Sequence, residues 1–199
     1  MKKLLLSLAV IGALFACENP VSKKIKETKE NVSNTRKAVK EMEKVQEDME
    51  DLKNEEPLTN DELKAWLPDE VNGMKRTGYK AGQTAFMQIA QIEATYQNED
   101  KSKKLKIQVI DGAGEMGAAA TAGMRILFSQ DFEEEDEYKI RRTAKRSGQK
   151  VMEESRKDGS RSEIQFMQDD RFYIKATGTN MDLEETWDAV DEFDADKLG

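Results

Sequence analysis

The stretch QKVMEESRKDGSRSEIQFMQDDRFYIKAT, residues 149–177, decides the class of fold. It is interrupted twice, at Lys157-Asp158-Gly159-Ser160 and at Gln168-Asp169-Asp170. Both interruptions are built from turn formers: glycine accepts left-handed backbone, and Asp bonds its own backbone two residues on. The pieces between them, 149–155, 163–167 and 171–177, read as strands; in the last, Phe172, Ile174 and Ala176 share one face by alternation. Connections this short join only antiparallel neighbours, so the three pieces form a meander. A further strand-like piece, 138–142, precedes them.

The same period of two recurs upstream. Leu105, Ile107 and Val109 alternate with Lys106 and Gln108, and Ile92, Ala94 and Tyr96 alternate with Glu93, Thr95 and Gln97. The wholly polar run 98–103 between them reads as a hairpin loop, and 75–81 adds another strand. Helical stretches punctuate these strands. Residues 115–129 are rich in alanine and apolar side chains, and their small residues suit close packing on a sheet. Near the end, Leu183, Trp187 and Val190 stand at i, i+4 and i+7, with Thr179 or Asn180 as expected N-cap and Leu198 as a last core contact. A short helix between Pro57 and Pro68 is capped by Thr59 or Asn60 and buries Leu63, Trp66 and Leu67. Runs of hairpin-connected strands exclude a repeated βαβ unit. The expectation is an α+β domain: a mostly antiparallel five- or six-stranded sheet packed with two helices. In element order it is similar in outline to the small α/β/α sandwich of the photosystem II extrinsic proteins and their bacterial lipoprotein relatives.

Ahead of this domain, residues 21–56 contain neither glycine nor proline. Val21, Ile25, Val32, Val39, Met42, Val45, Met49 and Leu52 form a narrow helical seam along them. The segment reads as a long charged helix: a stalk, a coiled coil joining copies into a homo-oligomer, or a helix lying along the domain. A partly disordered charged tether is the other reading of such a composition.

The chain starts with Lys2 and Lys3, and then an apolar run, residues 4–16, broken only by Ser7 and Gly12. That run falls short of the ~20 residues a membrane-spanning helix needs and has the shape of an export signal. Leu14-Phe15-Ala16-Cys17 closes it and resembles the lipobox of bacterial lipoproteins. The resemblance implies recognition of Leu14 and Ala16 by signal peptidase II, cleavage before Cys17, and acylation of Cys17. An ordinary secretory signal with a chance cysteine is the plainer alternative. On the first reading, residues 1–16 are a signal peptide, 17–57 a lipidated anchor and helical stalk or tether, and 58–199 the globular domain. The protein then belongs to the cell envelope, held to a membrane by lipid at the periplasmic face or the cell surface. Several acyl chains hold stably, since each buried methylene adds about 0.8 kcal/mol.

Composition narrows the chemistry. The chain has 199 residues, a net charge of −8, one cysteine and no histidine. Without histidine it lacks the commonest general base near neutral pH and the commonest metal ligand. Cys17 is committed to lipid, leaving no thiol and no intrachain disulfide. The glycines at 112, 114 and 117 lack the lysine and Ser/Thr of a phosphate loop, so packing is their expected role. The acidic runs 131–137 and 188–196 do not follow the EF-hand pattern. No cofactor or metal is expected, and the acidity argues against nucleic acid. One distinctive feature remains, the basic strands after residue 138: Lys139, Arg141, Arg142, Lys145, Arg146 and Lys150. Projecting from one sheet face, they would offer an interaction surface for a protein or an acidic polymer. Otherwise they pair with the acids of 131–137 and of the last helix. The expected function is a non-catalytic binding or interaction domain. The alternative is a histidine-free envelope hydrolase using carboxylates or a Ser–Lys pair, and a pocket with converging carboxylates would favour it.

Overall fold

Alternating sequence becomes a single antiparallel sheet in the computed structural model, which describes residues 39–40, 42–82 and 89–198. Nine strands belong to it among these described residues: β1 (Glu70–Val71), β2 (Met74–Ala81), β3 (Gln91–Gln97), β4 (Lys104–Asp111), β5 (Glu133–Glu135), β6 (Lys139–Arg146), β7 (Gln149–Arg156), β8 (Arg161–Gln168) and β9 (Phe172–Thr179). Residues 42–53 lie in a helix, α1. Three more helices follow: α2 (Asn60–Trp66), α3 (Gly114–Ser129) and α4 (Leu183–Asp191), with a 3-10 turn at Ala195–Leu198. The strand order is β1-β2-β3-β4-β9-β8-β7-β6-β5. One meander runs from β1 to β4, α3 carries the chain across to the far edge, and a second meander returns until β9 lies antiparallel to β4.

The α+β class and the antiparallel sheet agree with the sequence, but the strand count does not. Nine strands replace the expected five or six: all seven strand-like pieces join the one sheet, and two short edge strands without apolar alternation add to them. β1 has two residues, joined to β2 across the Asn72–Gly73 turn, and β5 is Glu133-Glu134-Glu135, all exposed. Val71 anchors β1 in the core, Lys157 holds Glu135 of β5 at 2.6 Å, and the charged β5 discourages edge-to-edge association.

The sheet buries its two faces unequally. On the first face, Ile92, Tyr96, Leu105, Ile107, Ile164 and Ile174 meet Leu63 and Trp66 of α2, Trp187 and Val190 of α4, and Phe193 and Leu198 beyond it. Both helices start on capping boxes, Thr59 with Glu62 and Asp182 with Glu185. The second cap lies two or three residues beyond the expected Thr179 or Asn180, because β9 continues through Thr179. Gly178 makes room for α4: a Cβ there would stand 2.7 Å from Ser162 Oγ and against Thr186. On the second face α3 covers a smaller cluster, Phe128 with Met152, Met167 and Tyr173. A Cβ on Gly117 would lie 2.6 Å from the Asp111 carbonyl oxygen, so this glycine lets α3 touch the end of β4.

By contact the chain divides into two units, residues 1–40 and 41–199. Within the second, α1 buries Val45 and Leu52, and Lys44 pairs with Asp170 at 3.1 Å. The part of the expected long helix at 21–38 lies outside the described residues, as do Leu14, Ala16 and Cys17.

One buried carboxylate ties three segments together. Asp111, at the end of β4, is wholly inaccessible and accepts four hydrogen bonds. Arg171 donates from Nε and Nη2 at 2.8 and 2.9 Å, the Leu58 N–H at 2.8 Å and the Ala113 N–H at 2.9 Å. Arg171 also reaches Glu55 at 2.8 Å and the Glu56 carbonyl oxygen at 3.1 Å. Arg171→Met would leave the Asp111 charge buried with backbone donors only, and is expected to cost about 3–5 kcal/mol in urea unfolding. Adding Asp111→Asn to that variant should recover part of the loss, since no uncompensated charge then remains.

Candidate functional site

Among the described residues α3 covers only one end of the second face, and the other end is polar and uncovered. Pairing aligns its side chains in rows across the central strands. Lys104 of β4 lies opposite Thr179 of β9, which lies opposite Arg161 of β8. The next row is Lys106, Thr177 and Glu163, and the next Gln108, Lys175 and Gln165. These are the residues that alternate with the buried Leu105, Ile107, Ile174 and Ala176, so the period that builds the core also builds this surface. Lys104, Lys106, Gln108, Arg161, Lys175, Thr177 and Thr179 line a hollow of about 370 Å³. A second hollow, about 330 Å³, adjoins it through Gln108 and is lined by Lys80, Gln91 and Glu93 among others.

Glu163 organises the cations of the larger hollow. Lys175 Nζ stands 2.8 Å from Oε1 and Arg161 Nη2 3.0 Å from Oε2. Gln165 Nε2 donates to Oε1 at 2.6 Å, and the Tyr173 hydroxyl donates to Gln165 Oε1 at 2.9 Å. Burial pushes the Glu163 carboxyl up, but bonds from Lys175, Arg161 and Gln165 together outweigh it and hold the group below its ordinary value. Burial, reinforced by the Glu163 charge, pushes the Tyr173 phenol up to about 12, so it remains a donor. Lys106 pairs with Glu93 at 2.6 Å, whereas Lys104 is exposed and has no ion-pair partner among the described residues.

The basic strands singled out in the sequence are arranged differently. Along β6 alternation sends Lys139, Arg141 and Lys145 to the second face and Arg142 and Arg146 to the first. Lys150 of β7 stands opposite Lys145. Five of the six are engaged. Lys139 and Arg141 lie near Glu154, at 3.7 and 3.9 Å, and Arg141 also covers the Phe132 ring. Arg142 meets Glu153 at 3.3 Å, Arg146 meets Asp191 at 2.9 Å while stacking over Trp187, and Lys150 meets Asp131 at 2.9 Å. The partners come from 131–137, from α4 and from β7. The sequence reading passed over Lys104, Lys106, Lys175, Thr177 and Thr179. Their signal was the polar half of two alternating strands, but uniting them requires the β4–β9 pairing.

A third hollow, about 200 Å³, lies where Arg146 and Asp191 rim a floor that includes Phe166, Trp187 and Val190. None of the three hollows holds two converging carboxylates. The carboxyl with a raised pKa among the described residues, Asp48, is pushed up chiefly by burial on α1, outside all three. Among the described residues no group of three or more His, Cys, Asp or Glu could hold a metal ion, and no helix is long and apolar enough to cross a membrane.

No family model matches the chain, and no curated protein matches it significantly. Among solved structures, a GTP binding regulator from Thermotoga maritima is similar at 12% identity, over 66% of this chain and 84% of that one, with a TM-score of 0.31. Likeness at that level carries no argument about fold or function.

The lowered Glu163 pKa has a measurable consequence. A carboxyl whose folded pKa lies below its unfolded value of 4.5 stabilises the fold above that pH and loses the contribution as pH falls through the folded pKa. The melting temperature of the unaltered chain should therefore fall more steeply than that of Glu163→Gln as pH drops below about 4.5, the two curves running parallel above it.

Proposed function

We propose that this chain is a lipid-anchored bacterial cell-envelope protein whose α+β domain binds a partner and performs no catalysis. The anchor rests on Leu14-Phe15-Ala16-Cys17 at the end of an apolar run with a basic front. The observation that carries the binding role is the open half of the second sheet face, where cations and hydroxyls stand in fixed rows on the central strands. Such a surface can hold a ligand through charge and hydrogen bonds, and each side chain is positioned by a strand paired on both sides. Neither hollow on it is lined by two carboxylates, as a paired-acid hydrolase would need. The balance of charge favours this face over the basic strands as the contact surface: two acids, Glu93 and Glu163, meet its cations, whereas five, Asp131, Glu134, Glu153, Glu154 and Asp191, meet those of the basic strands.

The anchor is tested by expressing the full chain in a bacterium supplied with a palmitate analogue. The unaltered protein is expected to incorporate the label, fractionate with membranes and begin at an acylated Cys17. Cys17→Ser should lose the label entirely. An unaltered chain that carries a bare thiol, or that keeps Met1 at its mature end, would refute the anchor.

A further inference from the structure

The two hollows that share Gln108 lie side by side across β2, β3, β4, β9 and β8, and, taken together as one groove, their chemistry specifies an occupant. Five strands span four inter-strand spacings, so the groove is roughly 19 Å long at about 4.8 Å per strand. That length suits a linear chain of several units better than one compact anion. Its charge is opposite to that of the protein as a whole. Lys80, Lys104, Lys106, Lys175 and Arg161 face Glu93 and Glu163, leaving an excess of positive charge on a molecule of net charge −8. An anionic partner is therefore favoured here.

Neutral donors and acceptors are interleaved with the cations. Thr179 stands between Lys104 and Arg161, and Thr177 lies between Lys106 and Glu163. Lys104 and Arg161 are two strands apart, roughly 10 Å. A ligand that matches this pattern has anionic groups at intervals and hydroxyls between them. Apolar anchors that would sink into a lipid surface are missing from these rows: β4 and β9 present Lys104, Lys106, Gln108, Lys175, Thr177 and Thr179.

We infer that this groove binds a linear acidic polysaccharide, with Lys104, Lys106, Lys175 and Arg161 taking its carboxylates and Thr177, Thr179 and Gln108 its hydroxyls. The inference rests on the reading of the domain as a binding module and names what that module takes. Glu163 acts as the positioning residue: it holds Lys175 and Arg161 apart at either side of one carboxylate and keeps both side chains at the groove floor.

The test is retardation of the full acylated chain, in neutral detergent micelles, through gels containing polygalacturonate, dextran or inorganic polyphosphate. Polygalacturonate should retard it, increasingly weakly as salt rises, while dextran should not. The double variant Lys104→Glu/Lys175→Glu, with an unchanged far-ultraviolet circular dichroism spectrum, should bind polygalacturonate about tenfold more weakly. The matched double variant Arg142→Glu/Lys150→Glu should bind it as the unaltered chain does. Four results overturn the inference: no retardation, equal retardation by polyphosphate, an undiminished Lys104→Glu/Lys175→Glu chain, or displacement of the polymer by phosphatidylglycerol added to the micelles. Acylation of Cys17 is scored separately, so an anchored chain that ignores polygalacturonate removes this inference and leaves the anchor intact.

Discussion

The buried pair of Asp111 and Arg171 is the constraint on which the architecture turns. The two meanders of the sheet touch only where β4 lies beside β9, and this pair closes that seam at one end. Placing a carboxylate where no solvent reaches costs several kcal/mol, and the cost is offset only if every lone pair finds a donor. Here each oxygen receives one bond from the guanidinium and one from a backbone N–H. Those two N–H groups belong to the chain entering α2 and the chain entering α3. The charge therefore couples the segments at 55–58, 111–113 and 171 in the folded state, because each supplies a partner to the carboxylate or to its guanidinium. Gly112 and Gly117 fit the same crowding, since a Cβ on Gly112 would stand 2.6 Å from the Arg171 carbonyl oxygen.

That seam sets where a binding surface can form. Strands β4 and β9 are the centre of the sheet, each bonded on both sides, so side chains on them are held more firmly than side chains on an edge. α3 starts immediately after β4 and runs over the second face towards β7 and β8, where Phe128 meets Met152 and Met167. It begins at Gly114, directly after β4 ends at Asp111, so it lies over that end of the face, and among the described residues the end of β4 carrying Lys104 and Lys106 is left uncovered.

Much of this was legible in the sequence because alternation is a local property. The strands at 91–97, 104–111, 149–156, 161–168 and 172–179, the turns between them and the apolar faces of α2 and α4 all follow from a few neighbouring residues. The three-glutamate strand β5 was not legible, because nothing in Glu133-Glu134-Glu135 distinguishes a paired edge from a solvated acidic loop. The pairing of β4 with β9 was also hidden, since Lys104 and Thr179 are far apart in the chain and a dozen antiparallel orders share the same local signals. The buried Asp111 looked like any other acid next to a glycine turn. Long-range pairing turned it into the hub.

The fate of the two basic clusters illustrates the same division between local and distant information. In sequence, 139–150 is the denser cluster and appears the better surface. On a strand, however, adjacent residues point to opposite faces, so Arg141 and Arg142 are separated by the thickness of the sheet. Each half then falls beside acids brought in by its own hairpin neighbours, Glu153 and Glu154 of β7, with further acids supplied by the 131–137 run and α4. Pairs of this kind, half exposed, are worth little individually, but five acids, Asp131, Glu134, Glu153, Glu154 and Asp191, stand against the six cations there, whereas only Glu93 and Glu163 stand against the cations of the polar face. Lys104, Lys106 and Lys175 are spaced by two residues or placed on the adjoining strand, so all three emerge on one face. Their neighbours across the ladder are threonine and glutamine more often than acid. A sparse set of cations in the right register therefore makes a more persistent positive surface than a dense run in the wrong one.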